Sequence, residues 1–155
     1  MKSEKTKIHF EEITPDNWRK INALEVKEEQ KNFVASNVAI LARAFVYRKE
    51  NSKVFAIYNN INPIGLIMQR DLKDGNDLIC ILDQFMIDQN YQGQGYGKAS
   101  MELWLSMIKK EKQYSAIELC YIEDDYIAEK LYKSLDFIRK LEGDDGDELV
   151  MRYEL

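Results

Sequence analysis

Apolar and polar positions alternate over Lys7–Ile13, with Ile8, Phe10 and Ile13 set against Lys7, His9 and Glu11. That period predicts a first strand with His9 on its polar side. Thr14-Pro15-Asp16-Asn17 then reads as a helix start, a threonine cap with proline at the first helical position. Trp18, Ile21, Leu24 and Val26 supply the apolar stripe of that helix. A second helix is expected over about Ser36–Val46, where Val38, Ile40, Leu41 and Phe45 recur at helical spacing. The polar Lys27-Glu28-Glu29-Gln30 between the two helices reads as loop or helix end.

Lys53–Tyr58 and Ile61–Arg70 are strand-like runs joined by Asn59-Asn60, a hairpin turn. Asp71–Asn76 is read as a second turn. Leu78–Asp88 is apolar on both faces, Ile79, Ile81, Phe85 and Ile87 on one and Cys80, Leu82 and Met86 on the other. Such a pattern predicts a central strand covered on both sides. Asp83-Gln84 is a polar interruption within it. Gly95 to about Lys112 is predicted helical, with Lys98, Glu102, Ser106 and Lys109 on one solvated stripe and Trp104, Leu105 and Ile108 on the packed side. A strand follows at Ser115–Tyr121, then a short helix at Asp125–Leu135 with Ile127, Ala128, Leu131 and Leu135 inward. Phe137–Leu141 and Glu148–Tyr153 form a last strand pair across 142–147, and the acidic Asp144, Asp145, Asp147 and Glu148 there read as a solvated hairpin or as a collector of cations near the acceptor mouth. The predicted order is strand, two helices, three strands, helix, strand, helix, two strands.

A chain of 155 residues has the size of one domain, and a single domain over 1–155 is expected. The 22 basic and 27 acidic side chains leave a net charge of −5, which argues against sequence-independent nucleic-acid binding and suits a cationic small molecule. No apolar run approaches the roughly 18–20 residues of a membrane span. Met1-Lys2-Ser3-Glu4-Lys5 lacks the apolar stretch of a signal peptide. Cys80 and Cys120 sit in apolar runs and read as reduced core residues, so a cytoplasmic protein is expected. With His9 as the single histidine, neither a metal site nor a Ser-His-Asp triad is expected.

The most informative stretch is Phe85-Met86-Ile87-Asp88-Gln89-Asn90-Tyr91-Gln92-Gly93-Gln94-Gly95-Tyr96-Gly97-Lys98. A buried strand runs through a loop with three glycines into an amphipathic helix. Glycines let the backbone approach an anion closely, and a helix start adds unpaired N–H donors and partial positive charge. Together they predict a phosphate-binding turn that needs no metal. The spacing is neither the P-loop nor the dinucleotide fingerprint.

Gln92-Gly93-Gln94-Gly95-Tyr96-Gly97 resembles the Gln/Arg-x-x-Gly-x-Gly/Ala signature of the GNAT superfamily of N-acetyltransferases, and the element order agrees with that fold over the whole chain. Asp125-x-x-Ala128-x-x-Leu131-Tyr132-x-x-x-Asp136-Phe137 is similar to a second superfamily feature, with Asp125 in place of the usual Asn and Asp136 in place of the usual Gly. Asp at 136 implies a turn without positive φ. Trp18, Val26–Gln30, Phe33–Asn37, Phe85–Asp88 and Tyr91–Gly93 further resemble the bacterial spermine/spermidine acetyltransferases of the Blt-D type, which often carry Arg where this chain has Gln84.

The resemblance implies a mixed α/β fold: a mostly antiparallel twisted sheet of six to seven strands, four helices, and a splay between the fourth and fifth strands. It implies that acetyl-CoA is the co-substrate, that Phe85, Met86 and Ile87 bind its pantetheine arm, and that Gln92, Gly93, Gln94, Gly95, Tyr96, Gly97 and Lys98 take its diphosphate. Asp125 stands where the family contacts the pantetheine. Tyr132 is implied as the acid that protonates the departing thiolate, the alternative being a packed aromatic.

The nucleophile must be a neutral amine, and an alkylammonium titrates near about 10.4. Asp83 is the candidate base, with a pKa raised by burial, or else a polar residue that satisfies a bulge. Glu28 and Glu29 either hold distal ammonium groups of a polyamine or are simply solvated, and Gln84 is the remaining candidate acceptor contact. The expected function is acetyl transfer to spermidine or spermine by direct attack in a ternary complex, in a homodimer, with no nucleic-acid or membrane partner. Another amine acceptor, or a coenzyme A-binding module without turnover, are the alternatives.

Overall fold

The computed structural model describes residues 7–155, so the charged start at Met1–Lys5 lies outside the described residues. Its seven strands lie in the order β1-β2-β3-β4-β5-β7-β6. These are β1 (Ile8–Glu12), β2 (Lys53–Asn59), β3 (Asn62–Asp74), β4 (Asp77–Ile87), β5 (Ala116–Ile122), β6 (Ile138–Asp145) and β7 (Glu148–Glu154). Every neighbouring pair is antiparallel except β4 and β5. Four α-helices complete the fold: α1 (Trp18–Asn22), α2 (Asn37–Val46), α3 (Tyr96–Glu111) and α4 (Tyr126–Ser134). α3 is the crossover that a parallel pair requires.

The sheet is covered on both faces. Met101, Trp104, Leu105 and Ile108 of α3 and Tyr132 of α4 pack with Ile67, Cys80, Leu82, Ile117 and Leu119. Ile21 of α1 and Ile40 of α2 pack with Ala56, Leu66, Met68 and Met86 on the other face. Within the first core the Trp104 Nε1–H donates to Gln69 Oε1 at 2.9 Å, which satisfies two buried polar groups at once. On the second face Asn37 Nδ2 donates to the Ile21 and Leu24 carbonyls, both at 2.8 Å, and ties the end of α1 to the start of α2.

The centre of β4 departs from the expected pattern. Leu82 faces Gln69 and Gln84 faces Met68, so Asp83 is an extra residue, a β-bulge. An extra residue reverses the alternation beyond it. Leu78, Cys80 and Leu82 point to the α3 side before the bulge, and Phe85 and Ile87 after it. The prediction that Phe85 and Ile87 share a face with Ile79 and Ile81 is therefore corrected. The parallel ladder with β5 spans only Ile79–Leu82 against Ala116–Leu119 and stops at the bulge. From Asp83 to Ile87 one edge of β4 is open, the splay that the resemblance implies.

Several local expectations also change. α1 starts at Trp18, because the Asn17 and Thr14 side chains are spent on turn hydrogen bonds, and Trp18 is 40% exposed rather than core. Val38 and Phe45 face outward from α2, and Ile127 outward from α4. The turns predicted at 71–76 and 142–147 are tighter, with β3 running to Asp74 and β6 to Asp145. Gly75 and Gly146, both at φ 60, permit two-residue turns. Asp136 does adopt a positive φ of 70, against expectation. The Phe137 N–H reaches the Tyr132 carbonyl and the Asp136 N–H that of Lys133, both at 3.1 Å, a Schellman close that holds the strain.

Candidate active site

A cleft of about 600 Å³ opens where β4 and β5 part. Phe85, Met86 and Ile87 lie along its floor, the glycine loop closes one end, and α4 forms a wall with Ala128, Leu131 and Tyr132. The segment between α1 and α2 closes the far side with Val26, Gln30, Phe33 and Val34.

The loop after β4 is built by side chains that fold back on it. Asp88 accepts from the Glu25 N–H at 2.9 Å and the Asn90 N–H at 3.1 Å. The Gln92 and Gln30 amides pair reciprocally at 2.8 and 3.0 Å, and Gln92 Nε2 also donates to the Ile87 carbonyl at 2.8 Å. Gln92 thus joins the loop to the α1–α2 segment. The chain then turns through Gly93 at φ 74 and Gly95 at φ 85, where a Cβ would meet nothing within 4 Å. The glycines are needed for backbone angle, and the space above them is open.

The first helical bond of α3 runs from Ala99 N–H to the Gly95 carbonyl at 3.1 Å. Among the described residues the N–H groups of Tyr96, Gly97 and Lys98 ahead of it have no partner, and they carry the positive end of a 16-residue helix. Gln94 Nε2 is used on the Asn90 carbonyl, and the Tyr96 hydroxyl is held by Asn59 at 3.2 Å. Neither side chain lines the cleft.

Asp83 is not a base with a raised pKa. Its side chain is 2% exposed, and Arg43 Nε donates to Oδ1 at 2.9 Å while Arg70 Nε donates to Oδ2 at 2.7 Å. Burial acts to raise its pKa, but the two guanidiniums outweigh it and hold the carboxyl below the ordinary range. Both guanidiniums stack on the Tyr47 ring, at 5.1 and 4.7 Å. The bulge reading of Asp83 prevails, and Gln84 completes it by accepting from the Ala35 N–H at 3.3 Å.

Tyr132 lines the cleft, packs on Phe137 with ring centroids 5.9 Å apart, and has its phenol pKa pushed up by burial. Asp125 caps α4 by accepting from the Ala128 N–H at 3.1 Å, and burial raises its carboxyl. Glu28 and Glu29 are both exposed and do not line the cleft, and Glu28 pairs with Lys31 at 2.8 Å.

Arg43 and Arg70, which carried no site reading in the sequence, line the cleft, as do Cys120, expected as packing, and Glu148, expected in the acidic turn. Cys120 is exposed, not core, because α1 and α2 cover only the β2–β4 half of that face. Arg43 had one signal, a charge set among the apolar positions of α2.

Free N–H donors with open space above them fit a diphosphate, and an unpaired strand edge fits an arm that bears amides. Coenzyme A carries both parts, in line with the acetyl-CoA-dependent N-acetyltransferases that the sequence resembles. The family model of the acetyltransferase (GNAT) domain matches residues 50–139, and the chain belongs to that family. Two relatives from Bacillus subtilis are each 27% identical over 161 residues, covering 96% of this chain and 99% of their own. One, from strain 168, is a spermine/spermidine N(1)-acetyltransferase, and the other, from subsp. natto strain BEST195, a probable spermine N(1)-acetyltransferase. Among solved structures, Arabidopsis thaliana Naa50 in complex with the bisubstrate analogue CoA-Ac-MVNAL superposes with a TM-score of 0.67. It shares 18% identity and covers 96% of this chain and 99% of that one.

Proposed function

We propose that the protein acetylates a primary amine of a small polycation, of the polyamine class, by direct attack in a ternary complex. The observation that carries the reaction is the continuity from the free N–H groups of Tyr96–Lys98, along the open β4 edge, to Tyr132. The polyamine acceptor is supported by the names of the two Bacillus subtilis relatives.

When bound, acetyl-coenzyme A supplies an acetyl thioester whose carbon bonds to the amine nitrogen as the C–S bond breaks and the sulfur takes up a proton. The backbone N–H groups of Tyr96, Gly97 and Lys98 bind its diphosphate. The open edge of Phe85–Ile87 orients its arm, and a backbone N–H there stabilises developing oxyanion charge, typically by about 3–4 kcal/mol. Tyr132, kept protonated by burial, holds the proton that the sulfur receives. Asp83 stays ionised between its arginines and holds the bulge in place, so the proton of the ammonium leaves to solvent.

Thiol release from acetyl-coenzyme A, measured across polyamines, monoamines, aminoglycosides and peptides, tests this reading. Stimulation by spermidine or spermine supports it. Stimulation only by another amine overturns the acceptor, and coenzyme binding with no stimulation overturns the enzyme. The single-domain cytoplasmic homodimer expected from the sequence is kept as part of this proposal, and sedimentation of the purified protein tests the dimer.

A further inference from the structure

The two sides of the cleft carry opposite charge. On the side of α2 and β3, Arg43 and Arg70 share the single carboxylate of Asp83. That carboxylate is saturated, and among the described residues no hydrogen bond to an acceptor is found for either Nη atom of Arg70. Lys27 adds a further positive charge on the same side. Across the cleft stands Glu148, the first residue of β7. Of the three carboxylates lining the cleft, Asp83 is occupied by two guanidiniums and Asp125 by the Ala128 N–H. Glu148 alone makes no ion pair or side-chain hydrogen bond among the described residues.

Its place in the ladder gives the reach. Glu148 is registered opposite Ile122, and Cys120 opposite Val150, so Glu148 stands on the same sheet face as Cys120. The β4–β5 ladder ends at Leu82 and Leu119, where the sheet opens. From Leu119 to Ile122 is three residues, about 10 Å of strand. A nitrogen acetylated at that opening and a second nitrogen at Glu148 would be separated by several methylenes. An ammonium along the α2 side would instead meet guanidinium edges.

We infer that Glu148 anchors the distal ammonium of a di- or polyamine and sets the direction in which the acceptor lies, along β5 and away from Arg43 and Arg70. This rests on the acetyl-transfer reading and names the acceptor contact within it. Of the carboxylates the sequence offered for a cation, Glu28 and Glu29 lie outside the cleft and Glu148, from the acidic turn, lines it.

The test compares spermidine with n-butylamine, which has one nitrogen only. Glu148 is exposed, so for Glu148→Gln the KM for spermidine should rise about two- to fivefold, the range of an exposed ion pair. The KM values for n-butylamine and acetyl-coenzyme A should stay unchanged. Glu148→Lys should raise the spermidine KM further, and Glu148→Asp should restore part of the loss. An unchanged spermidine KM in Glu148→Gln, or an equal rise for n-butylamine, overturns the inference. So does wild-type protein that prefers an amine bearing a carboxylate, which would assign recognition to the guanidinium edges of Arg43 and Arg70.

Calorimetry of spermidine binding to the coenzyme A-loaded protein separates this inference from the reading beneath it. Affinity that falls in Glu148→Gln upholds the anchor even where no amine releases thiol and acetyl transfer fails. Equal affinity in both proteins overturns the anchor whatever the turnover.

Discussion

The Oδ2 atom of Asp83 accepts from Arg70 Nε at 2.7 Å, although the two residues are not partners in the β3–β4 register. Arg70 faces Ile81, and Asp83 has no partner because it is the bulged residue. The bond therefore fastens the bulge to the neighbouring strand, and Arg43 fastens it to α2 from the other side. Both guanidiniums lie over Tyr47, which follows the last residue of α2.

Removal of this clamp should cost stability. Breaking a buried ion pair costs about 3–5 kcal/mol, but Arg43 is 38% and Arg70 22% exposed, so about 2 kcal/mol is expected for Asp83→Ala. The Asp83 carboxyl titrates lower in the folded protein than its unfolded value of about 3.9. Its contribution is then present in full above about pH 4–5 and is lost as pH falls through the folded value. Urea denaturation of wild type and Asp83→Asn should show a constant stability gap from pH 5 to 8 that narrows below about pH 4.

The same sign sets the pH profile of the reaction. A base with a raised pKa at position 83 would produce an acid limb in kcat between pH 5 and 7. With Asp83 ionised throughout that range, no limb belongs to it, and the profiles of wild type and Asp83→Asn should share the same shape.

Tyr132→Phe deletes one hydroxyl from a packed ring. Fold stability and acetyl-coenzyme A KM should be nearly unchanged, while kcat falls about 100-fold if the phenol supplies the proton. Burial raises its pKa, so the phenol stays protonated and contributes no alkaline limb at working pH. Retained kcat in the phenylalanine variant would return Tyr132 to a packing role.

The glycine loop makes a contrast within three residues. Gly95 sits at φ 85, so Gly95→Ala should destabilise by about 1–2 kcal/mol. Gly97 lies in the first turn of α3, and an added Cβ would meet Ile87 and Phe85 at ordinary contact distances of 3.9 and 4.0 Å. Gly97→Ala should raise stability, by up to about 1 kcal/mol from helix propensity. Thermal unfolding of the two variants measures both signs.

The two thiols should differ in reactivity. Cys80 is fully buried with its pKa pushed up to about 12 and should resist maleimide in the folded protein. Cys120 faces the cleft with a thiol pKa raised by burial and by Glu148, so its labelling should be slow at pH 7 and quicken with pH. Acetyl-coenzyme A should protect Cys120, and mass spectrometry after labelling shows whether it does.

Much of the fold was legible because its signals are local. Ser36 and Asp125 cap the helices that follow them, through the N–H groups of Ala39 and Ala128, and both helix starts were marked by sequence. The bulge was visible only as a polar interruption, Asp83-Gln84. Its effect on the faces of Phe85 and Ile87 was not legible, because the alternation of β4 must be read against β3 to show the extra residue.

The sequence by itself determined the order of elements and the anion-binding turn, because Gly93 and Gly95 act through their own backbone angles and the helix behind them supplies its own donors. Only the tertiary structure decided which charges face the cleft. Asp83 meets Arg43 from 40 residues away, Gln92 meets Gln30 from 62, and Glu148 joins the site through its ladder with Ile122. A carboxylate's role depends on what lies within a few ångströms of it, and chain folding alone sets those neighbours.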